Sequence, residues 1–585
     1  MGRRDAHFLG ALLLLTLACY APVLDAPPVY DDGVAVLDNP KMRDPGLLLR
    51  GFLRPTPAVP PGVPAAWYPY RPLAEASLAL NAWVTGMRPV SLRIGSLLLH
   101  AGSTLLVFAI VRRLAPALAW GASAFFALDP LAVQAVGYLA QRAAALETCL
   151  ALATVLLYLR GSLIPAWIAG LLAAMSKETG ATLPLVLAAV EGFGERRWRR
   201  WLPFAALALL PAAMAVWAMR ERGPEPPGPG PLAYLGIQMP VLWRYLSLSA
   251  LPFPMRFYFD PSRPPLGLSV LSGLGVASGL AWILLGPRRH ALPRLGLALF
   301  LAPLALESSL FPIQGVAWCY RCYPSLLGAG LIFAWALPAR PWVPLALMGA
   351  LAFGESRVWA SVPALQSRDV RNAPGLASAW ATQGFRRLEG GRAEQAERLF
   401  RRGLRVPGLD LKTAEGHATA LMALGRAGDA MRETKALRRI FPGHLSPLWL
   451  EVRQTSDEEG LMRLEREAEA FPLLRPELAL WLSERRMNRR EWASAESLLR
   501  RHLEAYPGQG MLWDHLGWTL LSTGRREPAV GAYRRAVGSD PGLAKAWYHL
   551  GVLSRDPSAL RRALALRPDY AKAREALVSL EGGGS

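Results

Sequence analysis

FLGALLLLTLACYAPVLDAPPVYDD, residues 8–32, runs an apolar stretch straight into two adjacent carboxylates, Asp31 and Asp32. Phe8–Leu24 is long enough to cross a bilayer, whose hydrocarbon core takes about 17–25 helical residues. Arg3 and Arg4 ahead of it hold its start on the cytoplasmic side, following the bias of basic residues toward that face. Both aspartates then fall on the outer face near the lipid headgroups, at the head of a loop that does not return to apolar sequence until about Ser91. A cleaved signal peptide would show a similar basic start, apolar stretch and small residues before Pro22. Against it, further apolar runs follow, cleavage would strip Asp31 of its anchor, and Thr16-Leu17-Ala18 ahead of Cys19 is a poor lipoprotein cleavage pattern.

Outward from this stretch, apolar runs recur near residues 91–111, 114–130, 144–159, 163–175, 180–194, 201–219, 268–286, 291–311, 323–337 and 341–354. With the first, these are eleven expected crossings, taking the chain from a cytoplasmic start to an external C-terminus. Arg112/Arg113, Arg196/Arg197/Arg199/Arg200 and Arg288/Arg289 sit between runs, where orientation signals belong. Met239–Pro254 is also apolar, but as a full span it would put Arg288 and Arg289 outside, so it reads as a re-entrant or interface helix. Near residue 355 the composition changes, and charged residues then appear every few positions. The organisation expected is all-α: a multi-spanning domain over 1–355 with its first external loop at 25–90, a linker at 356–374, and a helical domain over 375–585 outside the bilayer. The net charge of +21 does not indicate nucleic-acid binding, because the basic groups do not gather with aromatics on one soluble face. Only six of the 65 basic residues are Lys, an Arg bias that reflects base composition rather than function.

The C-terminal third contains a repeat. Pro407, Pro442, Pro472, Pro507, Pro541 and Pro568 close successive helix pairs, and three of the five intervals are 34 or 35 residues. Trp513, Leu516, Gly517, Gly524, Ala529, Tyr533, Ala536 and Pro541 match the tetratricopeptide (TPR) pattern, and Trp547, Leu550 and Gly551 restart it. Glycine and alanine suit the close approach of two helices, the aromatic fills the space beside them, and proline ends the second helix. Such α-solenoids present a concave surface to a partner; the alternative is a spacer without a ligand.

Charges in the membrane half are costly and therefore informative. Besides Asp31 and Asp32 they include Arg71 beside Tyr70, His100, Lys177 and Glu178, Asp260, Glu307 and Arg321. Acids with isolated arginines at a headgroup boundary suit chemistry on a lipid phosphate: Arg binds phosphate oxygens and a carboxylate takes a proton from the nucleophile. Taken singly, Arg71 and Arg321 equally suit interface anchors, Lys177 and Glu178 a structural pair, and His100 helix packing. Two adjacent carboxylates can hold a divalent cation, but nothing in the sequence requires a metal or other cofactor. Cys319 and Cys322 form a C-x-x-C with no second pair or His cluster to complete a zinc site, which favours structural cysteines. No P-loop, dinucleotide fingerprint or nucleophilic-serine motif competes.

Tyr30-Asp31-Asp32 through Asn39-Pro40, Tyr70-Arg71-Pro72-Leu73, Leu98-Leu99-His100-Ala101, Ser176-Lys177-Glu178-Thr179-Gly180 and Arg321 followed by Tyr323-Pro324-Ser325 occur in that order. In this order they resemble the transmembrane and tetratricopeptide-repeat O-mannosyltransferases and their bacterial relatives, over nearly the whole chain. The resemblance implies a GT-C glycosyltransferase fold followed by repeats, and an enzyme that moves a sugar from a polyprenyl-phosphate carrier to an acceptor on the outer side. It implies that the base is drawn from Asp31 and Asp32, and that Arg321, with Arg71, contacts the donor phosphate. Where the family shows His-Pro and then Glu, this chain has Asp129-Pro130 and Gln134; Asp129 retains polarity, whereas Gln134 cannot act as acid, base or anionic ligand. Tyr320-Arg321-Cys322-Tyr323 departs from the family's usual Arg-Tyr-x-Tyr by a Cys.

The expected reaction is a direct displacement at the anomeric carbon with inversion, the polyprenyl tail lying between spans and the repeats presenting a protein acceptor or recruiting a partner. The expected location is a bacterial plasma membrane with the repeats in the periplasm. Two other classes stay open: an inactive membrane anchor that displays a repeat scaffold, which Gln134 favours, and a polymerase or ligase of lipid-linked glycans. Transport would predict internal symmetry between halves of the membrane domain, which is not evident.

Overall fold

The computed structural model describes residues 2–37, 39–53, 71–193, 198–210, 213, 230–252, 264–309, 317–337, 342–406, 410–442, 444–471, 474, 476–506 and 508–582. Among these the chain is helical throughout, and its contacts divide it into two compact units, one of residues 1–57 and 65–416 and one built on residues 417–585.

In the first unit, four helices among the described residues are long and apolar enough to cross a bilayer: Arg3–Leu24, Pro89–Leu114, Leu139–Leu159 and Leu266–Leu285. The last has only 6% of its apolar window buried, leaving Leu266, Leu271, Leu274, Leu284 and Leu285 largely exposed. A continuous apolar face of this kind is unsuited to water and suited to lipid. The first two helices pack antiparallel. At one end Trp120 Nε1 donates to Asp5 at 3.1 Å and Arg112 lies 3.4 Å from the same carboxylate; at the other, Arg93 lies 3.8 Å from Asp32. The nineteen residues from Arg93 to Arg112 rise about 28 Å, close to the roughly 30 Å of a hydrocarbon core.

The other expected crossings are shorter or interrupted. Pro116–Leu128 and Leu163–Ser176 are short apolar helices, as are Leu183–Phe193, Ala291–Leu304 and Leu326–Ala336, while Trp342–Trp359 carries Glu355 and Arg357. The run 201–219 falls largely outside the described residues. Several of these short helices stop where a polar group intervenes: Asp129 follows Leu128, Lys177 follows Ser176, and Arg321 precedes Leu326. Non-helical backbone at membrane depth is tolerated where protein buries it, and Asp129, Lys177, Glu307 and Arg321 are all buried. The segment expected to be re-entrant is one helix, Pro231–Ala250, with Pro240 inside it.

The segment expected to form the first loop, residues 25–90, is folded where it is described. Helix Pro72–Thr85 contributes Leu78 and Ala79 to a small core with Val36, Met42, Leu92 and Leu139, against which Leu48 of helix Pro45–Leu53 packs, and Lys41 pairs with Glu75 at 2.9 Å.

In the repeats, helix pairs follow one another from Ala377–Glu389 with Ala393–Leu404 to Ala544–Ser554 with Pro557–Leu566. A Cβ on Gly517 would sit 2.8 Å from the Tyr533 ring, so only glycine admits the aromatic between the paired helices. Trp380 Nε1 donates to Pro374 O and Trp547 Nε1 to Pro541 O, at 2.9 and 3.0 Å, the same bond in two units. The turn within each of several pairs passes through a left-handed residue: Gly391, Gly425, Arg490, Gly524 and Arg555. These features are those of a TPR solenoid.

Candidate active site

Asp31 and Asp32 leave the Arg3–Leu24 helix on a turn wound by Tyr30, whose φ of 49° lies in the left-handed region. For a residue with a Cβ that conformation costs about 1–2 kcal/mol, and three contacts hold it. The Tyr30 hydroxyl donates to Asp369, and its ring packs edge-on against Tyr138 and Trp359, with centroids 6.0 and 6.4 Å away.

The two aspartates then diverge. Asp31 is exposed, and its Oδ2 accepts from the Tyr138 hydroxyl at 3.1 Å. Asp32 is fully buried; its Oδ1 accepts from Ala140 N at 3.1 Å and its Oδ2 from Val29 N at 3.2 Å, with Arg93 at 3.8 Å. Burial pushes the Asp32 carboxyl up to about 7, against the backbone N–H groups and Arg93, which pull it down. Neighbours in sequence thus have opposite surroundings: one acid is presented to solvent, the other is locked beneath it.

A second group lies beside the first. Lys177 Nζ is 3.2 Å from Glu307 Oε1, and Arg321 Nε is 3.4 Å from Glu307 Oε2, all three side chains being at most 4% exposed. One carboxylate therefore serves two cations, with buried Glu147 among the charges acting on Lys177. Lys177 also sits 5.7 Å over the Tyr320 ring, which packs 6.4 Å from Tyr138. Tyr138 and Tyr320 are thus the physical link between the Asp31 turn and the cation group. Next to them, Arg71 forms a two-point pair with Glu178, at 3.0 Å from Nε and 2.6 Å from Nη2. Burial works to raise the Glu178 carboxyl, but the Arg71 guanidinium overrides it and holds it down at about 2.

Of the residues singled out in the sequence, Asp31, Asp32, Arg71, Lys177, Glu178, Glu307 and Arg321 come together in this region. His100 does not join them: it is fully buried, Nδ1 at 2.9 Å from the Tyr323 hydroxyl and Nε2 at 3.2 Å from Ala127 O, between the rings of Phe126 and Tyr20. That is the helix-packing role. Asp129 caps the next turn, accepting from Leu131 N at 2.9 Å, with Gln134 buried after it. Tyr70 and Asp260 lie outside the described residues. Cys319 and Cys322 are both free and buried, and among the described residues no cluster of three metal-ligating side chains occurs.

Sequence reasoning missed Arg93 and Tyr138, and it quoted Tyr320 without giving it a role. Arg93 left a signal, a lone arginine inside the apolar run 91–111. Tyr138 left none, because nothing local distinguishes it from other aromatics, whereas Tyr320 stands beside Arg321 in the Tyr320-Arg321-Cys322-Tyr323 run.

No family model matches the chain. Over 198 residues it is 33% identical to the protein O-mannosyl-transferase Tmtc1 of Drosophila melanogaster, an alignment covering 32% of this chain and 23% of that protein. Over 96 residues it is 29% identical to the peroxisomal targeting signal receptor of Kluyveromyces lactis, covering 16% of this chain and 17% of that protein. Among solved structures, a thermophilic TPR protein of Thermus thermophilus is 18% identical with a TM-score of 0.20, over 35% of this chain and 98% of that one. The C-terminal part of a TPR repeat-containing protein of Cytophaga hutchinsonii is 13% identical with a TM-score of 0.26, over 36% of this chain and 92% of that one. The chain spans less than a quarter of the length of the curated relatives it matches, 23% and 17%, and the first of them bears the name of the group whose motifs it resembles.

Proposed function

We propose that the protein is a multi-spanning GT-C-type glycosyltransferase that moves a sugar from a polyprenyl-phosphate donor to a hydroxyl of a protein acceptor on the outer face of the membrane. The observation that carries this reading is the Tyr138–Tyr320 contact, which joins an exposed, oriented carboxylate to a buried pair of cations. A transfer needs these two elements side by side: a base for the acceptor proton and positive charge for the departing phosphate.

In this reading Asp31 takes the proton of the acceptor hydroxyl as its oxygen bonds to the anomeric carbon. The bond from that carbon to the phosphate oxygen breaks, and the polyprenyl phosphate leaves with the electron pair beside Lys177 and Arg321. One displacement inverts the anomeric centre. Glu307 keeps the two cations in register before the donor arrives, and Arg71, already paired with Glu178, shapes the wall of the site. Asp32 anchors the turn, its two oxygens being engaged by Val29 N, Ala140 N and Arg93. The reading needs no metal.

The remaining topology follows from charge. Asp31, Lys177 and Arg321 belong to one end of the helices, whereas Arg112 and Arg113 belong to the other; the bias of basic residues to the cytoplasm makes the Asp31 end external. Eleven crossings, with the short helices counted as membrane-embedded, then leave the repeats outside to present the acceptor or a partner. Similarity to an O-mannosyl-transferase favours protein as the acceptor.

The test compares wild type with Asp31→Asn in membranes given radiolabelled polyprenyl-phosphate sugars. Label on protein that disappears in the variant supports the reading. Label on a lengthening lipid-linked glycan replaces it with a polymerase, and no transfer from any donor replaces it with a membrane-anchored scaffold.

A further inference from the structure

We infer that Arg93 is the positioning residue of the acid site, one guanidinium that fixes the turn carrying Asp31 and Asp32 against the turn carrying Tyr138. The inference rests on the glycosyltransferase reading for its catalytic consequence, but its physical core does not.

Arg93 sits in the first turns of the Pro89–Leu114 helix and is fully buried. An arginine there is costly unless every donor is used. Its Nε donates to Gly137 O at 2.8 Å, its Nη1 to Ala26 O and, at 3.4 Å, to Leu24 O, and its Nη2 to Pro27 O at 3.0 Å, with Asp32 Oδ2 at 3.8 Å. The guanidinium has five N–H groups; four hydrogen bonds to backbone carbonyls engage it, and Asp32 faces it as an ion contact beyond hydrogen-bond distance. Leu24, Ala26 and Pro27 are the segment that enters the Asp31 turn. Gly137 immediately precedes Tyr138, whose hydroxyl orients Asp31. Both walls of the acid site are therefore tied to a single planar fork, and the charge of that fork faces the buried carboxylate directly beneath the exposed one.

Lysine can supply the charge but not the fork, since three donors on one nitrogen cannot reach carbonyls on two separate turns in fixed directions. Glutamine removes the charge. The two substitutions therefore separate geometry from electrostatics. The titratable groups around Asp32 are Arg93, Asp31 and Tyr138, with Asp25 acting on Arg93 from the other side.

The experiment measures the thermal midpoint of the full-length protein against pH in detergent, alongside transfer from a labelled polyprenyl-phosphate sugar, for wild type, Arg93→Lys, Arg93→Gln, Asp32→Asn and Asp32→Asn/Arg93→Gln. Arg93→Gln is expected to move the pH at which the midpoint falls upward by about one unit, and this shift is expected to vanish in the Asp32→Asn background. Arg93→Lys is expected to leave that pH within a few tenths of wild type while lowering transfer about tenfold or more through misplacement of Asp31. Wild-type transfer in Arg93→Lys, or an unshifted pH dependence in Arg93→Gln, overturns the inference; should Arg93→Gln not fold, Arg93→Lys still decides it. If wild type itself transfers nothing, the glycosyltransferase reading fails while the pH dependence still judges Arg93.

Discussion

The Tyr30 hydroxyl donates to the Asp369 carboxylate, joining residues 339 positions apart and tying the turn that bears Asp31 to the helix Val362–Asn372. That helix follows Trp342–Trp359, where Glu355 receives both Trp359 Nε1, at 2.8 Å, and Arg368. The left-handed Tyr30 is therefore held by residues from the far end of the membrane half. Tyr30→Phe and Asp369→Ala each remove that hold, a charge-assisted bond whose loss costs about 1.5–3 kcal/mol. Each is expected to lower transfer about tenfold, and the double variant no further than the worse single. A double-mutant cycle on transfer rate checks this; additive losses would show that the two residues act independently.

Asp31 and Asp32 have different fates on substitution. Asp31→Asn is expected to lower transfer by about 10²–10⁴-fold, the usual contribution of a general base, with the thermal midpoint unchanged. Asp32→Asn acts through pH. Because the folded Asp32 carboxyl titrates at about 7, above its ordinary value, the folded state retains a proton that the unfolded chain has released. Its stabilising contribution is then complete below about pH 4 and is lost as the pH rises through 7. The thermal midpoint of wild type is expected to fall between pH 5 and pH 8, and that of Asp32→Asn to fall less. A steeper fall in the variant would reverse the assignment.

Glu178 has the opposite sign. Held down at about 2 beside Arg71, it contributes stability that is present above about pH 4 and lost as the pH drops toward 2. Glu178→Gln is expected to cost about 1–3 kcal/mol at neutral pH and to flatten the acid side of the stability profile. Denaturant titrations at pH 3 and pH 7 make the comparison.

Glu307→Gln leaves Lys177 and Arg321 buried without their shared counter-charge. Removing one partner of a buried ion pair costs about 3–5 kcal/mol, so the variant is expected to melt well below wild type. Adding Lys177→Met, which removes one of the two stranded cations, is expected to recover part of the loss. No recovery would mean that Glu307 serves Arg321 alone.

In the repeats, Arg490 occupies with φ 61° the left-handed turn position that Gly524 occupies with φ 79°. Arg490→Gly is expected to stabilise this part of the chain by about 0.5–1 kcal/mol, the relief of left-handed strain less the added entropy of an unfolded glycine. Gly517→Leu is expected to destabilise by several kcal/mol, since even its Cβ meets Tyr533. Hydrogen exchange of the repeat helices in the full-length protein reads both.

The repeats were legible in detail because their cause is local. Trp513 and Gly517 recur 34 residues on as Trp547 and Gly551, a period that shows without any partner, and the structure packs Gly517 against Tyr533. The membrane half was legible in outline. Its apolar runs mark helices, but the breaks at Asp129, Lys177 and Arg321 leave several runs short, so that among the described residues four helices qualify as crossings by length and composition. Hydropathy averages over a window and cannot tell an interruption that protein buries from a loop that water bathes.

The sequence by itself determined an all-helical chain, an apolar half and a repeating half, and it singled out acids and cations in and between the apolar runs. Only the tertiary structure decided how those charges are used: Asp31 presented and Asp32 locked, Arg71 with Glu178, Glu307 shared by Lys177 and Arg321, and Arg93 clamping two turns. The first set follows from the solvent preference of each residue and the period of its helix, which are properties of a short window. The second depends on which groups meet at 3 to 4 Å once the helices pack. Lys177 and Glu307 are 130 positions apart, and in a low dielectric each such contact weighs far more than it would in water.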